Sequence, residues 1–473
     1  MILVARVLSA LATVVVAVVL ANALGPTSFG RYRLALTAAG IGVILAGQGL
    51  AAATGRFLVE APDDQHRAAV LRRAFRAKAF LAFLPAAALA VLAVPIAHLV
   101  GKPDAWPLFM IAALAIPVTD MTTWIWTAFQ ATRQASASLA VILSKSLVEL
   151  PTALVLIGVG FGAVSGVIAY TTANAAACGV GVYLLSTRWL RKGNASEGPT
   201  ASAMLRFGRQ VWFTDLAFLG FQTVDQVLLQ AFRGSRSVGI YDVAWQLTTG
   251  LTLLSLAISS AVAPRLADAD RQFANALFAK VLCALIALYT AIAVLTVLLA
   301  SYLIDVLFRQ SFDYSGRILA ALAPYVLLLG VAPLVSTGLN FLGIAHARRQ
   351  IAITALLVNA VLDVVFIHWI GTIGPTIGTG VAFAYYVLAH CLLYRRSDIA
   401  IPWRGCALSF TRGLFAGLVG AALALVWLHG FATTGAAPVL AALTLAGAGS
   451  ATALIALGEL DVSLWRLMRE RPA

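Results

Sequence analysis

Charged residues are scarce in this chain of 473 residues: only 11% are Asp, Glu, Lys or Arg, whereas 61% are apolar. A soluble domain is about half apolar and a quarter charged, so this composition excludes a protein whose surface lies mainly in water. Cysteine is also rare. The four cysteines lie far apart, without a CxxC spacing, at positions 178, 283, 391 and 406. They therefore indicate packing residues rather than a disulfide framework or a thiolate metal site.

Motifs of common catalytic sites are missing as well. The sequence has no GxxxxGK[ST] loop for nucleotide phosphates, no HExxH metal motif and no GxSxG nucleophile elbow. Its six histidines are scattered. We therefore expect a protein that is not an enzyme, with no cofactor and no bound metal, and we expect no ATP-driven motor in this chain.

Acidic residues are the minority among the charges, with 19 Asp and Glu against 33 Lys and Arg, for a net charge of +14. A chain this basic first suggests a nucleic-acid partner. However, its Lys and Arg flank apolar runs of roughly 20 residues, the length that a membrane-spanning helix needs. Short positively charged loops stay in the cytoplasm, so the charge is explained by membrane topology and we expect no nucleic-acid partner.

The apolar runs predict an all-α polytopic membrane protein with about 14 transmembrane helices. The predicted spans are residues 2–23, 34–57, 79–100, 107–131, 137–160, 166–187, 210–232, 239–264, 281–308, 318–345, 351–371, 376–394, 408–430 and 438–459. In the loops and at the ends of these spans, 23 basic residues fall on one side of the membrane and 7 on the other. This asymmetry predicts that both termini are cytoplasmic.

Two segments of the chain fit one template, G-x-x-S-x-G-x-Y-x-x-A. They are residues 25–35 and 234–244, which are 209 positions apart, and the same shift carries Arg56 onto Arg265. Self-similarity at a fixed offset indicates a repeat, and spans 1 and 7 begin on the same side, so the repeat is parallel. Residues 8–20 with Ala21-Asn22-Ala23 also fit a signal peptide, but the match of the following residues to those after span 7 favours a retained span.

The repeat predicts four parts of the chain and a transporter with its site between two like halves. The parts are an N-terminal lobe of six spans, a polar cytoplasmic linker, a C-terminal lobe of six spans, and spans 13 and 14 with a cytoplasmic tail. Their predicted ranges are 1–187, 188–209, 210–394 and 395–473.

Residues 21–35, from Ala21 through Gly-Pro-Thr-Ser-Phe-Gly-Arg-Tyr to Ala35, resemble the polysaccharide-transporter branch of the multidrug/oligosaccharidyl-lipid/polysaccharide (MOP) exporter superfamily. Residues 225–232, 238–247 and 261–266 resemble the seventh and eighth helices of that branch. The resemblance implies two six-helix lobes around a central cavity that opens alternately to each side. Spans 13 and 14 are then two extra C-terminal helices.

The same resemblance implies the function. It indicates a flippase in the bacterial inner membrane that moves undecaprenyl-pyrophosphate-linked oligosaccharides to the periplasmic leaflet, for O-antigen, capsule or exopolysaccharide synthesis. The implied partners are this lipid-linked substrate, membrane lipids, a coupling proton or sodium ion, and polysaccharide polymerase machinery. Three alternatives stay open: a cation-coupled small-molecule or multidrug exporter, a peptidoglycan-precursor flippase, and a membrane glycan polymerase or ligase, which would need a catalytic outer loop.

Charges inside the spans are the candidate site residues, because a charge at mid-bilayer costs roughly 2.5–3.5 kcal/mol. Lys145 and Glu149 are four residues apart and so share a helix face. They either neutralise each other or supply a cation for the pyrophosphate and a handle for a coupling ion. Arg56 and Arg265 are either interfacial anchors or, given how a guanidinium binds phosphate, ligands of the diphosphate.

Two further groups of residues complete the candidates. Lesser candidates for the substrate site are Arg6, Arg31 and Arg33. Candidates for ion coupling, besides Glu149, are Asp120, Asp215 and Asp225. Asp215 and Asp225 are ten residues apart on one predicted helix, so they point in different directions. The alternative role of each aspartate is a hydrogen bond to a neighbouring helix.

Overall fold

The computed structural model describes residues 2–190, 199–267, 270–341, 345–397, 399–430 and 436–460. Within these ranges every regular element is helical. The α-helices are α1 (Ile2–Gly47), α2 (Leu50–Glu60), α3 (Asp64–Leu99), α4 (Trp106–Ala131), α5 (Ala135–Gly158), α6 (Ala163–Leu185), α7 (Ala201–Arg233), α8 (Ser235–Gly250), α9 (Thr252–Val262), α10 (Arg271–Leu307), α11 (Tyr314–Ala321), α12 (Ala323–Phe341), α13 (Ala345–Ile370), α14 (Gly374–Leu393), α15 (Trp403–Gly430) and α16 (Ala436–Ala456).

Most of these helices are long and apolar enough to span a membrane. In the described part of the chain, ten candidates meet both criteria, and eleven if α11 and α12, which meet at 47°, cross as one bent span. Helix α7 is not among them, because two aspartates and three glutamines between Asp215 and Gln230 lower its hydropathy. The prediction of an all-α, multi-pass membrane protein is confirmed.

The chain folds as two compact units, Met1–Gly239 and Ile240–Ala473. Helix α7 packs against α1 and α2 and so belongs to the first unit. The predicted lobe boundaries stay predictions. Of the predicted linker, residues 201–209 form the first turns of α7, and residues 191–198 lie outside the described part of the chain.

Buried aromatic side chains fill the core of the first unit. Trp124 is fully buried among residues of α2, α3, α4 and α6, and its indole Nε1 donates a hydrogen bond of 2.9 Å to the hydroxyl of Thr54. Its indole N–H finds a polar partner in the core, which makes full burial of this large side chain favourable.

In the second unit, α15 and α16 pack on each other and on α10. Beyond the end of α16, the buried carboxylate of Glu459 accepts hydrogen bonds from Ser409 and Arg412 of α15, each of 2.9 Å. A ladder of ring contacts links α8, α12 and α14 through Trp245, Tyr325 and Phe383. These contacts tie the helices of the second unit together away from the α15–α16 pair.

The repeated sequence motif has the same backbone in both of its copies. Gly25 has φ 70° and ψ 169°, and Gly234, its repeat equivalent, has φ 81° and ψ 175°. This conformation is essentially restricted to glycine, and it breaks the helix before each copy of the motif. The second glycines of the two copies, Gly30 and Gly239, lie against each other's helix within the first unit, where a Cβ on Gly30 would collide with the carbonyl of Ser235.

The helix boundaries around the first copy differ from the predicted ones. Residues 26–47 continue as helix after Gly25, so the junction predicted as a loop is helical and carries Arg31 and Arg33 within α1. Predicted span 2 is instead broken between α1 and α2, where Gln48 and Gly49 have φ of 43° and 68°. Hydropathy does not encode such backbone angles, so the sequence pattern could not locate the break.

Helix α3 begins fifteen residues before the predicted span, at Asp64 rather than 79. Its start is fixed by Asp63, whose carboxylate accepts a hydrogen bond of 2.8 Å from the backbone N–H of His66. This is the preferred N-cap arrangement. The same hydrogen bond lowers the pKa of Asp63 below its usual value. The early start brings Lys78 into the helix, although the positive-inside pattern had placed it in a cytoplasmic loop.

Candidate functional site

Helices α1, α5 and α6 of the first unit form a cluster of charges. Lys145 of α5 is half-buried, with its Nζ 5.0 Å from the centre of the Tyr170 ring. Glu149 lies one turn further along α5 and is only 8% exposed. The cations that act on its carboxylate are Lys145 and Arg33 of α1. We call Arg33, Lys145 and Glu149 the charge cluster; with one acid and two bases, its net charge is +1.

A polar contact between α1 and α7 lies one turn from Arg33. The hydroxyl of Thr37 hydrogen-bonds both to the carbonyl of Arg33 and to the side-chain oxygen of Gln226. Asp225, the neighbour of Gln226 on α7, is 1% exposed. Helix α7 therefore brings two buried polar side chains to the same level of the unit as the charge cluster.

A second site in the first unit is an ion pair between α3 and α4. The Nζ of Lys78 lies 2.5 Å from Oδ1 of Asp120, and the two side chains are 1% and 3% exposed. The other carboxylate oxygen, Oδ2 of Asp120, is buried and has no hydrogen-bond partner in the described part of the chain. Charged residues within membrane-spanning segments are usually paired or face a cavity. Lys78 and Asp120 do both.

The cavity beside this ion pair has a volume of about 290 Å³. Its walls come from α1, α2, α3, α4 and α7, and Lys78, Asp120, Trp212 and Asp215 are among the lining residues. Trp212 is fixed by a hydrogen bond of 2.7 Å from its Nε1 to the carbonyl of Ile44. We call this the Lys78–Asp120 cavity. Its three charged groups sum to −1, the opposite sign to the charge cluster.

The two sites suit different chemistry. A half-buried lysine with an arginine nearby can bind phosphate oxygens, because Lys acts as a point charge and Arg as a forked donor. A neutral buried pair with an unpartnered carboxylate oxygen can accept a proton or a small cation. Among the described residues, no group of three His, Cys, Asp or Glu is placed to hold a metal ion.

The structure brings some of the predicted site residues together. Arg33, Lys145 and Glu149 meet in the charge cluster, and Asp120 and Asp215 line one cavity. Arg31 is half-buried, two residues from Arg33 on α1 and so on a different face of the helix.

Other predicted site residues lie elsewhere. Arg56 is about half exposed, pairs with Glu60 at 2.7 Å, and stacks over the ring of Phe207 at 4.6 Å. Arg265, in the second unit, is half-buried in a short 3-10 turn after α9. The side chain of Arg6 lies outside the described part of the structure.

Lys78 is the site residue that the sequence interpretation missed. It follows Arg72, Arg73 and Arg76 and comes just before the predicted span 79–100, so the positive-inside pattern predicts that it lies in the same cytoplasmic loop. The available signal was the helical continuity from Asp64, which has an N-cap at Asp63 and no proline before Pro85. That signal predicts a helix through Lys78 but not its burial, which depends on the position of Asp120 in α4.

The described elements define the class of fold, an all-α polytopic membrane protein built of long apolar helices. Two solved structures share this fold. The lipid II flippase MurJ in an inward closed conformation matches with a TM-score of 0.74 and 13% identity, over 96% of this chain and 98% of that chain. An inward-facing multidrug resistance MATE family transporter of the MOP superfamily matches with a TM-score of 0.65 and 15% identity, over 85% and 96% of the two chains.

The chain belongs to the polysaccharide biosynthesis protein family, whose model matches residues 1–270. A curated relative, the probable flippase AglR of Haloferax volcanii, is 28% identical over 211 residues. That match spans only 42% of this chain and 42% of the relative. The predicted resemblance to the polysaccharide-transporter branch of the MOP superfamily is confirmed.

Proposed function

We propose that this chain is a flippase for lipid-linked oligosaccharides, which it moves from the cytoplasmic to the periplasmic leaflet by alternating access. The observation that supports this function is the family match over residues 1–270, together with the flippase relative. We further propose that the carrier lipid is undecaprenyl pyrophosphate, that the membrane is the bacterial inner membrane with both termini in the cytoplasm, and that the glycan serves O-antigen, capsule or exopolysaccharide synthesis. The flippase relative and the transporter neighbours support a role without catalysis.

The charge cluster is the proposed site for the diphosphate of the substrate. Its net charge of +1 is opposite to that of the ligand, and Lys145 is accessible because it is only half-buried. In the absence of substrate, Glu149 is the nearby acid on which Lys145 and Arg33 act. The diphosphate would replace part of that interaction, which favours binding without leaving a buried cation unpaired. Arg31, Arg56, Arg265 and Arg6 remain secondary proposals for substrate contacts.

The Lys78–Asp120 cavity is the proposed site for the coupling ion. A proton or sodium ion on Asp120 would remove the counter-charge of Lys78, and Asp215 on the cavity wall can share the cation. Binding of one cation changes the net charge of this buried pair. Its binding and release can therefore shift the equilibrium between two arrangements of the helices. Asp225 and Glu149 stay as alternative coupling residues.

Neutralising the charge cluster tests the proposed substrate site. We expect Lys145→Ala and Arg33→Ala each to weaken substrate binding by about 10- to 100-fold, the usual effect of losing a hydrogen bond to a charged group. The measurement is the amount of surface polysaccharide and of accumulated lipid-linked oligosaccharide in cells that express each variant. Membrane levels of the variants must match those of the unaltered chain.

Lys102→Ala is the matched control, because Lys102 is exposed and lies between α3 and α4, away from both sites. It should retain full output of surface polysaccharide. Full output from Lys145→Ala and Arg33→Ala, at matched expression, would show that the charge cluster does not bind the substrate.

A further inference from the structure

The hairpin of α13 and α14 carries two pairs of adjacent arginines at one end. Arg348 and Arg349 lie in the first turns of α13, and Arg395 and Arg396 follow the last residue of α14. Arg349, Arg395 and Arg396 are exposed. Asp363 is the only acid in residues 345–397, and it lies roughly 21 Å along α13 from Arg349. Asp398 is outside the described residues. This end of the hairpin is therefore strongly basic.

A groove is formed by α13 and α14 at the basic end of the hairpin. Its volume is about 620 Å³, and it is lined by residues that include Ile353, Thr354, Tyr385, Leu392 and Arg396. The size lies in the range of small-molecule sites. Ile353 and Leu392 are 41% and 46% exposed, which leaves the apolar wall of the groove accessible. The groove thus has an apolar length and an arginine at one end.

A second, smaller cavity adjoins the same turn of the chain. It has a volume of about 230 Å³ and is lined by Arg395, Ser397 and Trp403 among others. Trp403 is 50% exposed, and exposed tryptophans collect at the level of lipid headgroups. Arg395 and Arg396 therefore each line a cavity, one beside an interfacial tryptophan and one above an apolar groove.

We propose that this surface is a binding site for an anionic phospholipid of the bilayer, with one acyl chain in the groove and its phosphate between Arg395 and Arg396. Charge complementarity favours an anionic lipid over a zwitterionic one. The positive-inside pattern predicts that this end faces the cytoplasm, and basic pockets between helices on that side bind anionic headgroups. The proposal does not depend on the transported substrate, because the groove is lined by residues of α13, α14 and the turn after it, and by none of the residues proposed to contact the substrate.

The test titrates the purified full chain, stripped of lipid in detergent, with dioleoylphosphatidylglycerol and separately with dioleoylphosphatidylcholine. Native mass spectrometry counts the lipid that is retained. We expect the unaltered chain to retain phosphatidylglycerol more tightly than phosphatidylcholine. Each arginine near a charged membrane surface contributes about a fivefold change in affinity, so Arg395→Gln/Arg396→Gln should weaken phosphatidylglycerol binding about 25-fold.

Two further variants make the test specific. Arg206→Gln/Arg209→Gln removes the same charge from two exposed arginines of α7 and should leave the affinity within about twofold. Ala389→Trp fills the groove while keeping every arginine and should weaken the binding of phosphatidylglycerol. Equal affinity for the two lipids, or equal losses from the two double-arginine variants, would overturn the proposal. So would displacement of phosphatidylglycerol by a lipid-linked oligosaccharide at equal concentration, since the groove would then be a substrate site.

Discussion

The ion pair of Lys78 and Asp120 places two full charges where almost no solvent reaches them, so each depends on the other. Removing one partner of a buried pair costs about 3–5 kcal/mol, whereas replacing both by apolar residues is often neutral. This asymmetry separates the structural role of the pair from its proposed role in coupling.

We expect Lys78→Met alone to lower the free energy of unfolding by about 3–5 kcal/mol, because it leaves the Asp120 carboxylate buried and unpaired. The double variant Lys78→Met/Asp120→Leu should recover most of that stability but transport poorly. The first measurement is the melting temperature in detergent, monitored by fluorescence-detected size-exclusion chromatography. The second is the output of surface polysaccharide. A single variant that melts like the unaltered chain would contradict the account. A double variant with full transport would leave the pair a purely structural role.

Single residues also show where the sequence was informative. The spacing of Lys145 and Glu149 predicted that they share a face, and Arg33 was among the candidates, so the members of the charge cluster could be named in advance. That Lys145 and Glu149 lie near Arg33 could not be predicted, because it depends on how α1 packs against α5. Burial of Lys78 was missed for the same reason: its partner is 42 residues away in the sequence.

At the scale of elements, backbone conformation and backbone contacts explain why the repeated motif contains two glycines. Its first glycine breaks the helix, at Gly25 and Gly234, and its second glycine allows two helices to touch, at Gly30 and Gly239. The sequence shows the template, but it does not show why glycine is needed at these positions. Only the structure shows that equivalent glycines of the two copies pack against each other.

We expect Gly30→Ala to destabilise the first unit by about 1–3 kcal/mol or more, because its Cβ would collide with the backbone carbonyl of Ser235, which has no flexible end to move. Gly239→Ala should behave alike, since its Cβ would meet the carbonyl of Pro26. The measurement is the melting temperature and the yield of monodisperse protein.

Gly40→Ala is the matched control on the same helix, because no atom lies within 4 Å of its added Cβ. It should melt like the unaltered chain. Equal behaviour of the Gly30 and Gly40 variants would mean that the two copies of the motif do not meet at their glycines.

The N-cap of α3 gives a pH-dependent contribution to stability. The pKa of Asp63 is lowered in the folded chain by the hydrogen bond from the backbone N–H of His66. A lowered folded-state pKa means that the contribution is fully present above the unfolded-state value, about 4, and is lost as the pH falls through the folded-state value.

We therefore expect Asp63→Ala to lower the melting temperature at pH 7, and the difference from the unaltered chain to shrink as the pH falls below about 4. Asp64→Ala serves as the comparison, because Asp64 only forms an exposed pair with Arg67; its effect at pH 7 should be smaller. A difference between Asp63→Ala and the unaltered chain that stays constant from pH 7 to pH 3 would contradict the capping role.

At the scale of the whole molecule, composition alone was enough to predict a multi-pass α-helical membrane protein. A protein surface with so few charged residues is suited to lipid and not to water. The 209-residue repeat and the motif around Gly25 then narrowed the class to MOP-type transporters. The family match over residues 1–270 and the fold likeness over 96% of the chain agree with that class. The proposed glycan and the proposed coupling ion would depend on a few side chains, about which hydropathy and motifs carry no information.

The leaflet in which the lipid-linked oligosaccharide accumulates is the measurement that tests the flippase proposal most directly. Cells with and without the chain are compared, and the oligosaccharide is labelled with a membrane-impermeant reagent applied to the outer face of the inner membrane. Without the chain, we expect the lipid-linked unit to accumulate unlabelled, on the cytoplasmic side, while surface polysaccharide disappears. Accumulation of labelled units on the outer side would instead indicate a later step, and an unchanged pool would contradict the proposed function.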